Sequence, residues 1–181
     1  MKKFLLHACC APCGIAIIDE LRQKYNLSVL FYNPNIFPEA EYLKRKAEVV
    51  KVCTEWGVPM IDHDYEPEKW DKEVQGLENE KEGGMRCSAC FKMRLFRAGE
   101  IAKENGFEVF GTTLTMGSRK SAVVINPIGE AVAKHFGLEY LGEDWKKGGR
   151  TEKGRQMIAD RNIYRQNYCG CRYSLEARKD E

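Results

Sequence analysis

Three thiols within five positions, Cys9, Cys10 and Cys13, punctuate the stretch Leu5-Leu6-His7-Ala8-Cys9-Cys10-Ala11-Pro12-Cys13-Gly14. Thiolate sulfur is a soft ligand for zinc, iron and iron-sulfur clusters, and it is also the reducing group of dithiol chemistry. A second pair, Cys87-Ser88-Ala89-Cys90, has the spacing that puts both thiols on one helix face. Alone, that pair is ambiguous among zinc, iron-sulfur and redox use; joined to the first group it makes a four-thiolate candidate. In the third pair, Cys169-Gly170-Cys171, one glycine separates the thiols. It can close a small, strained and easily reduced disulfide suited to a redox relay, or serve as a further pair of metal ligands. Flanking Arg165 and Arg172 favour its thiolate form. Cys53 has no cysteine neighbour and is expected to be a core thiol.

The elements that must position these groups follow from periodicity. Residues 3–8 read as a buried strand, and Ile15, Ile18, Leu21 and Tyr25 recur at helical spacing, so the first cysteines occupy a strand-to-helix turn. Open α/β sheets bind ligands at such turns. Adjacent side chains on a straight strand point to opposite faces, so Cys9 and Cys10 can share a ligand only if the backbone bends, which Pro12 and Gly14 allow. A helix starting near Cys13 aims free N–H groups at the turn and lowers thiol pKa values.

Residues 27–32 form a second strand ending at Asn33-Pro34-Asn35. Pro38 and Glu39 open a helix with Leu43, Ala47, Val50 and Cys53 on one face, closed by Gly57. Residues 58–61 are a third strand, followed by Asp62-His63-Asp64-Tyr65; there His63 or Asp64 could bind metal, hold substrate, donate a proton or simply be solvated. After a charged, irregular stretch to Gly83-Gly84, a helix opens at Met85, presents Phe91, Leu95, Ala98 and Ala102 on one stripe, and ends at Gly106. Residues 107–111 are a fourth strand. The following Thr112-Thr113-Leu114-Thr115-Met116-Gly117-Ser118-Arg119-Lys120 combines hydroxyls, glycine and two cations, as an anion site would, without matching a Walker A loop. Asn126 and Pro127 fit a cap and first position of a helix to Gly137, with a last strand over 138–141. The expected fold class is α/β, three-layer, with a mainly parallel sheet of about five strands.

A length of 181 residues, 43% hydrophobic and 31% charged, suits one soluble domain with a sizeable core. Residues 1–144 are read as the α/β domain and 145–181 as a basic C-terminal helical extension, carrying the last cysteine pair and packed on the same domain. No apolar stretch is long enough to span a membrane, and the basic, apolar start is too short for a signal peptide. Eight cysteines in a chain with repeated strand and helix patterns point to metal or redox thiols in the cytoplasm rather than a secreted disulfide scaffold. Residues 145–181 hold ten Lys and Arg against five Asp and Glu, a net +5, leaving −3 of the overall +2 to residues 1–144. In this tail Arg161, Tyr164, Arg165, Tyr168, Arg172 and Tyr173 interleave cations with rings, a combination suited to phosphates and unstacked bases.

Five ordered motifs, Leu6-His7-Ala8-Cys9-Cys10-Ala11-Pro12-Cys13, Tyr32-Asn33-Pro34-Asn35-Ile36, Arg86-Cys87-Ser88-Ala89-Cys90, Thr112-Thr113-Leu114 and Tyr164-Arg165-Gln166-Asn167-Tyr168-Cys169-Gly170-Cys171, resemble the cobalamin-independent epoxyqueuosine reductases, the QueH family. The resemblance implies an oxidoreductase of tRNA processing, which reduces the epoxide of epoxyqueuosine at the wobble position to give queuosine. It also implies a fold similar to the adenine-nucleotide α-hydrolase (HUP) type. The implied ligands of a 4Fe-4S cluster are Cys9, Cys10, Cys87 and Cys90, and the implied redox-active disulfide is Cys169 with Cys171. The implied partners are tRNA carrying epoxyqueuosine in its anticodon and an unidentified electron donor, with no membrane. Cys13 and Asp64 are spare candidate ligands for an additional iron. The chain departs from the family pattern at Gly117-Ser118-Arg119-Lys120, where Ser-Pro-x-Lys is more usual. Two other readings compete. A thioredoxin-like dithiol oxidoreductase accounts for Cys10-Ala11-Pro12-Cys13 but not for Cys87, Cys90 or the basic tail. A zinc-stabilised RNA-binding module would be colourless, where an iron-sulfur protein is brown.

Overall fold

The computed structural model describes residues 1–178, so the last three residues of the expected 145–181 segment lie outside the described residues. Its strands are β1 (Lys3–His7), β2 (Asn26–Phe31), β3 (Met60–Asp62), β4 (Val109–Thr112) and β5 (Glu139–Leu141). They form one parallel sheet in the order β3-β2-β1-β4-β5. Parallel pairing requires crossovers, supplied by helices α1 (Ala11–Leu21), α2 (Glu39–Trp56), α4 (Met85–Glu104) and α5 (Ala122–Phe136). The expected α/β architecture is therefore present.

Alternation along the strands divides the core in two. Phe4, Leu6, Val29 and Phe31 face Ile15 and Ile18 of α1 and Tyr42 and Val49 of α2. Leu5, Leu30 and Phe110 face Leu95 and Ala98 of α4 and Ile125 and Val132 of α5. The chain reverses its direction of winding between the adjacent strands β1 and β4, which opens a crevice beyond their C-terminal ends. The Cys9–Cys13 turn follows β1 and the Thr112–Lys120 loop follows β4, so both border that crevice.

Three sequence expectations need correction. The buried face of α2 is Tyr42, Arg45, Val49, Val52 and Cys53, whereas Leu43 is 53% and Val50 42% exposed. An arginine on the true stripe hides its apolar character. Helix α5 starts at Ala122, and Pro127 lies inside it rather than at its first position. The N–H that proline lacks would have bonded to the carbonyl of Val123, which sits in an 83% exposed residue where water can serve instead. Within the stretch expected to be irregular, α3 (Pro67–Glu73) forms because Trp70 can be buried against Val74, Cys90 and Cys171.

The C-terminal extension contains α6 (Arg150–Asp160) and α7 (Arg172–Glu176). Trp145 is buried and donates from Nε1 to the Thr112 carbonyl (2.9 Å), fixing the start of the extension beneath the β4 loop. Helix α6 packs on α1, with Lys153 paired to Asp19 (2.7 Å) and Arg150 to Glu20 (2.8 Å). Among the described residues no helix is long and apolar enough to cross a membrane.

Two helical glycines should respond oppositely to alanine. A Cβ at Gly129 would lie 2.2 Å from Cζ of Tyr140, whose ring packs on Phe110 and whose hydroxyl donates to Asn126. Gly129→Ala should destabilise by about 1–3 kcal/mol. At Gly154 the nearest atom would be the Ala16 Cβ at 3.7 Å, so removing a mid-helix glycine from α6 should stabilise by up to about 1 kcal/mol. Urea unfolding of both variants checks the pair, and a stabilising Gly129→Ala would refute the packing described for α5.

Candidate active site at the cysteine-rich switch point

The turn after β1 is extended at Cys10, which caps α1 from an extended backbone (φ −172°, ψ 162°), and Pro12 lies in the first helical turn. A bend at Cys9, just before it, lets neighbouring thiols converge. Cys9 Sγ is 3.8 Å from Cys10 Sγ, and the sulfurs of Cys9, Cys10 and Cys13 all lie within 4.8 Å of one another. Hydrogen bonds from Cys10 and Cys13 hold the Cys9 thiol well below its ordinary value despite burial, with Lys120 and Arg94 assisting. Cys13, half-buried and donating to both neighbours, is pushed well above its ordinary value. Of the three sulfurs, only that of Cys9 is shifted toward the thiolate form; Cys10 is pushed up to about 12.

Polar side chains pin the strand ends around it. His7 Nε2 donates to the Tyr32 carbonyl (3.0 Å), so Nδ1 is left to accept from Thr112 Oγ1 (2.9 Å). Burial first and Arg94 second push the His7 pKa down to about 3, so this imidazole is a neutral tie across β1, β2 and β4. Asn33 Nδ2 donates to the Ala8 carbonyl (2.9 Å), and Thr113 Oγ1 accepts from the Cys9 N–H (3.3 Å).

Cys87 and Cys90 stand in the first turns of α4. Arg86 is buried and donates to the carbonyls of Leu77, Glu78 and Glu80, which folds the preceding loop over the start of the helix. Cys87 packs with the same apolar cluster as Cys9, Cys10 and Cys13, while Cys90 packs with Trp70, Val74 and Cys171. Burial pushes Cys87 up to about 11 and raises Cys90 as well, although Arg94 opposes the latter shift. Arg94 joins the two groups: Nη2 donates to Asn33 Oδ1 (2.5 Å), and Nη1 lies 3.9 Å from Cys90 Sγ.

Cys169 and Cys171 are free thiols. Cys171 is buried with Sγ 3.5 Å from Ser174 Oγ, whereas Cys169 is half-buried and faces the crevice. Arg45, paired to Glu41 (2.7 Å), reaches across to the carbonyls of Cys169 (2.9 Å) and Tyr168 (3.3 Å). The Phe37 N–H donates to the Gly170 carbonyl (2.8 Å). Gly170 has φ +139°, a conformation side chains avoid, and a Cβ there would meet Arg45 Nη1 at 3.1 Å.

The crevice is a cavity of about 560 Å³ bordered by Cys9, Cys13, Cys169, Lys120, Gln166 and several arginines. His63 and Asp64 do not line it. His63 Nε2 accepts from Arg97 Nε (3.2 Å) and Asp64 is exposed, because β3 is the sheet edge, beyond β2. Arg161 and Arg172 are ion-paired to Glu55 and Asp71, each at 2.8 Å. Arg155, Arg165 and Arg178 border the cavity, are exposed and make no ion pair among the described residues.

The site has the donor set and charge for an anionic, thiolate-bound metal group. Arg94 is 1% exposed, and neither it nor Lys120 has an ion pair among the described residues. Burial alone would lower Lys120, yet the thiols of Cys169, Cys9 and Cys13 hold it above its ordinary value. Donors also stand ready at four sulfurs: Thr113 Oγ1 at Cys9 (3.6 Å), Gln166 Nε2 at Cys10 (2.9 Å), Gly83 N at Cys87 (3.2 Å) and Arg94 Nη1 at Cys90 (3.9 Å). Sequence reasoning missed the roles of Arg45, Arg94 and Asn33. The available signal was an arginine on the otherwise apolar stripe 91-94-95-98 of α4, and another on that of α2.

Known proteins resemble this chain along nearly its whole length. Residues 4–177 match the family model described as epoxyqueuosine reductase QueH. The chain is 40% identical to the epoxyqueuosine reductase QueH of Histophilus somni, covering 96% of this chain and 72% of that protein. Identity to the Acinetobacter baylyi protein of the same name is 41% (96% and 80% covered), and to that of Thermotoga maritima 35% (100% and 94%). Among solved structures, the fold is similar to the U34-tRNA thiolase NcsA from Methanococcus maripaludis with its [4Fe-4S] cluster (TM-score 0.61, 15% identity, 96% of this chain and 61% of that one). It is also similar to a predicted subunit of tRNA methyltransferase from Methanocaldococcus jannaschii (TM-score 0.55, 12% identity, 87% and 76%). Thiols gathered at the switch point of a parallel sheet and a match along nearly the whole sequence lead to one assignment: the chain belongs to the epoxyqueuosine reductase QueH family.

Proposed function

We propose that this protein is an epoxyqueuosine reductase acting on tRNA, converting the epoxide of the wobble-position nucleoside to the cyclopentene of queuosine. The observation that carries the reading is the meeting of Cys9, Cys13, Cys169 and Lys120 at one basic cavity, in a chain matched by the family over residues 4–177. Deoxygenation consumes two electrons and two protons and releases water. The two thiols of Cys169 and Cys171 can furnish both when they close to a disulfide, after which an external donor must restore them. An iron-sulfur cluster held by Cys9, Cys10, Cys87 and Cys90 would supply electrons one at a time. Cys13, outside that ligand set, is the residue left for an additional iron. Lys120 offers an ammonium group where negative charge develops on the departing oxygen. Arg45 fixes the cysteine-pair loop by its main chain, without engaging either sulfur. Mass spectrometry of nucleosides after anaerobic incubation with epoxyqueuosine-containing tRNA tests the activity; no queuosine with any reductant would refute it.

Anaerobically purified protein should contain about four iron and four sulfide per chain. Serine at Cys87 or Cys90 should abolish the brown absorption. Cys53→Ser should keep it, since that thiol is buried in the other half of the core. Loss at all three positions would sink the ligand assignment.

For the Cys169→Ser, Cys171→Ser double variant, the expected outcome is an intact cluster spectrum with multiple-turnover activity lost. Full turnover would exclude a relay role for the pair.

The phosphate contacts should divide as the ion pairs do. Arg155→Ala and Arg165→Ala should each lower the slope of log affinity for tRNA against log salt by about one unit, whereas Arg161→Ala and Arg172→Ala should leave it unchanged. Filter binding across a salt series decides, and the reverse pattern would place the RNA elsewhere.

A further inference from the structure

Gln166 lies in the loop that carries Cys169 yet reaches the other cysteine group, placing Nε2 2.9 Å from Cys10 Sγ. When Cys10 is a deprotonated metal ligand its sulfur only accepts, so the amide then has one orientation: its nitrogen faces Cys10 and Oε1 faces away. That oxygen is buried and has no hydrogen-bond partner, although Gln166 borders the cavity. A buried carbonyl oxygen without a donor is costly, and such groups commonly mark a place completed by a ligand. The nucleoside assigned above carries hydroxyl and amine donors on its cyclopentane arm, the chemistry this oxygen would accept.

We propose that Gln166 couples filling of the cavity to the reduction potential of the metal group held through Cys10. A substrate donor on Oε1 polarises the amide and strengthens its N–H···S bond at the other end. Reduction adds negative charge to the sulfurs, so a stronger donor there favours the reduced form and raises the potential. Electron uptake would then be favoured when substrate is present. The inference rests on the cluster assignment and RNA substrate of the preceding section.

The test is an EPR-monitored redox titration of anaerobic holoprotein, alone and with an anticodon stem-loop RNA bearing queuosine, the unreactive product. RNA binding is followed by anisotropy in the same samples. In the wild type the RNA should raise the midpoint by about 59 mV, a tenfold change in a one-electron equilibrium. Gln166→Leu should titrate lower than wild type without RNA and show no RNA-dependent rise. Gln166→Glu, of matched volume and lacking the N–H donor at pH 8, should behave alike. A wild-type midpoint in Gln166→Leu, an equal RNA-dependent rise in both proteins, or RNA bound to wild type without any rise would overturn the coupling. Loss of iron from both variants would overturn it too, by making Gln166 a support for Cys10. A wild-type protein with no cluster signal, or one that does not bind the RNA, would instead refute the earlier reading.

Discussion

A guanidinium buried without a carboxylate is the constraint around which this site is arranged. Breaking a buried charge pair by removing one partner costs about 3–5 kcal/mol, so the setting of Arg94 must be compensated by other means. Asn33 Oδ1 takes one nitrogen, Cys90 Sγ lies near another, and Nε has no partner. Asn33 in turn donates to the Ala8 carbonyl, immediately before Cys9. The cation thus sits between the two cysteine groups and is tied to both by short polar links. Thiolate charge in either group relieves it, and its own charge makes thiolate cheaper to form. The two cysteine groups and the fold are consequently coupled through one side chain.

Topology decides where such an arrangement can exist. With β1 and β4 adjacent and their crossovers on opposite faces, loops from both halves of the chain meet beyond their C-terminal ends. His7 secures this edge by accepting from Thr112 and donating to the Tyr32 carbonyl, so three strands end at one level. A protonated His7 could not accept from Thr112, and its buried setting keeps it neutral. The site therefore rests on a neutral polar tie below and a set of cations above.

Much of this was legible in the sequence because the signals were local. Apolar runs bounded by Asn33-Pro34, Gly57, Gly106 and Gly137 located strands and helix ends to within a few residues, and cysteine spacing located the thiol groups. What was not legible depends on tertiary partners. The true stripe of α2 contains Arg45, whose burial depends on Glu41 and on hydrogen bonds to the Cys169 and Tyr168 carbonyls, more than a hundred residues away. The start of α5 was misplaced because Pro127 has strong first-turn preferences that an exposed Val123 carbonyl overrides. The nearness of Cys13 to Cys9 and Cys10 depends on a bend whose place, at Cys9, no spacing rule specifies.

The basic tail illustrates how composition and structure answer different questions. Composition counts an excess of cations in 145–181, but the structure assigns them two kinds of task. Arg150, Lys153, Arg161 and Arg172 face acidic groups on α1, α2 and α3, so their charge is used to hold the extension against the sheet domain. Such part-exposed pairs each contribute little, at most about 1 kcal/mol, and their value is in fixing orientation. The extension is oriented further by Trp145 beneath β4 and by Arg45 on the cysteine-pair loop. Once it is fixed, Arg155, Arg165 and Arg178 stand at the mouth of the cavity without an ion pair among the described residues. The same segment thus brings Cys169 and these arginines to one cavity, because the paired charges have already settled its position.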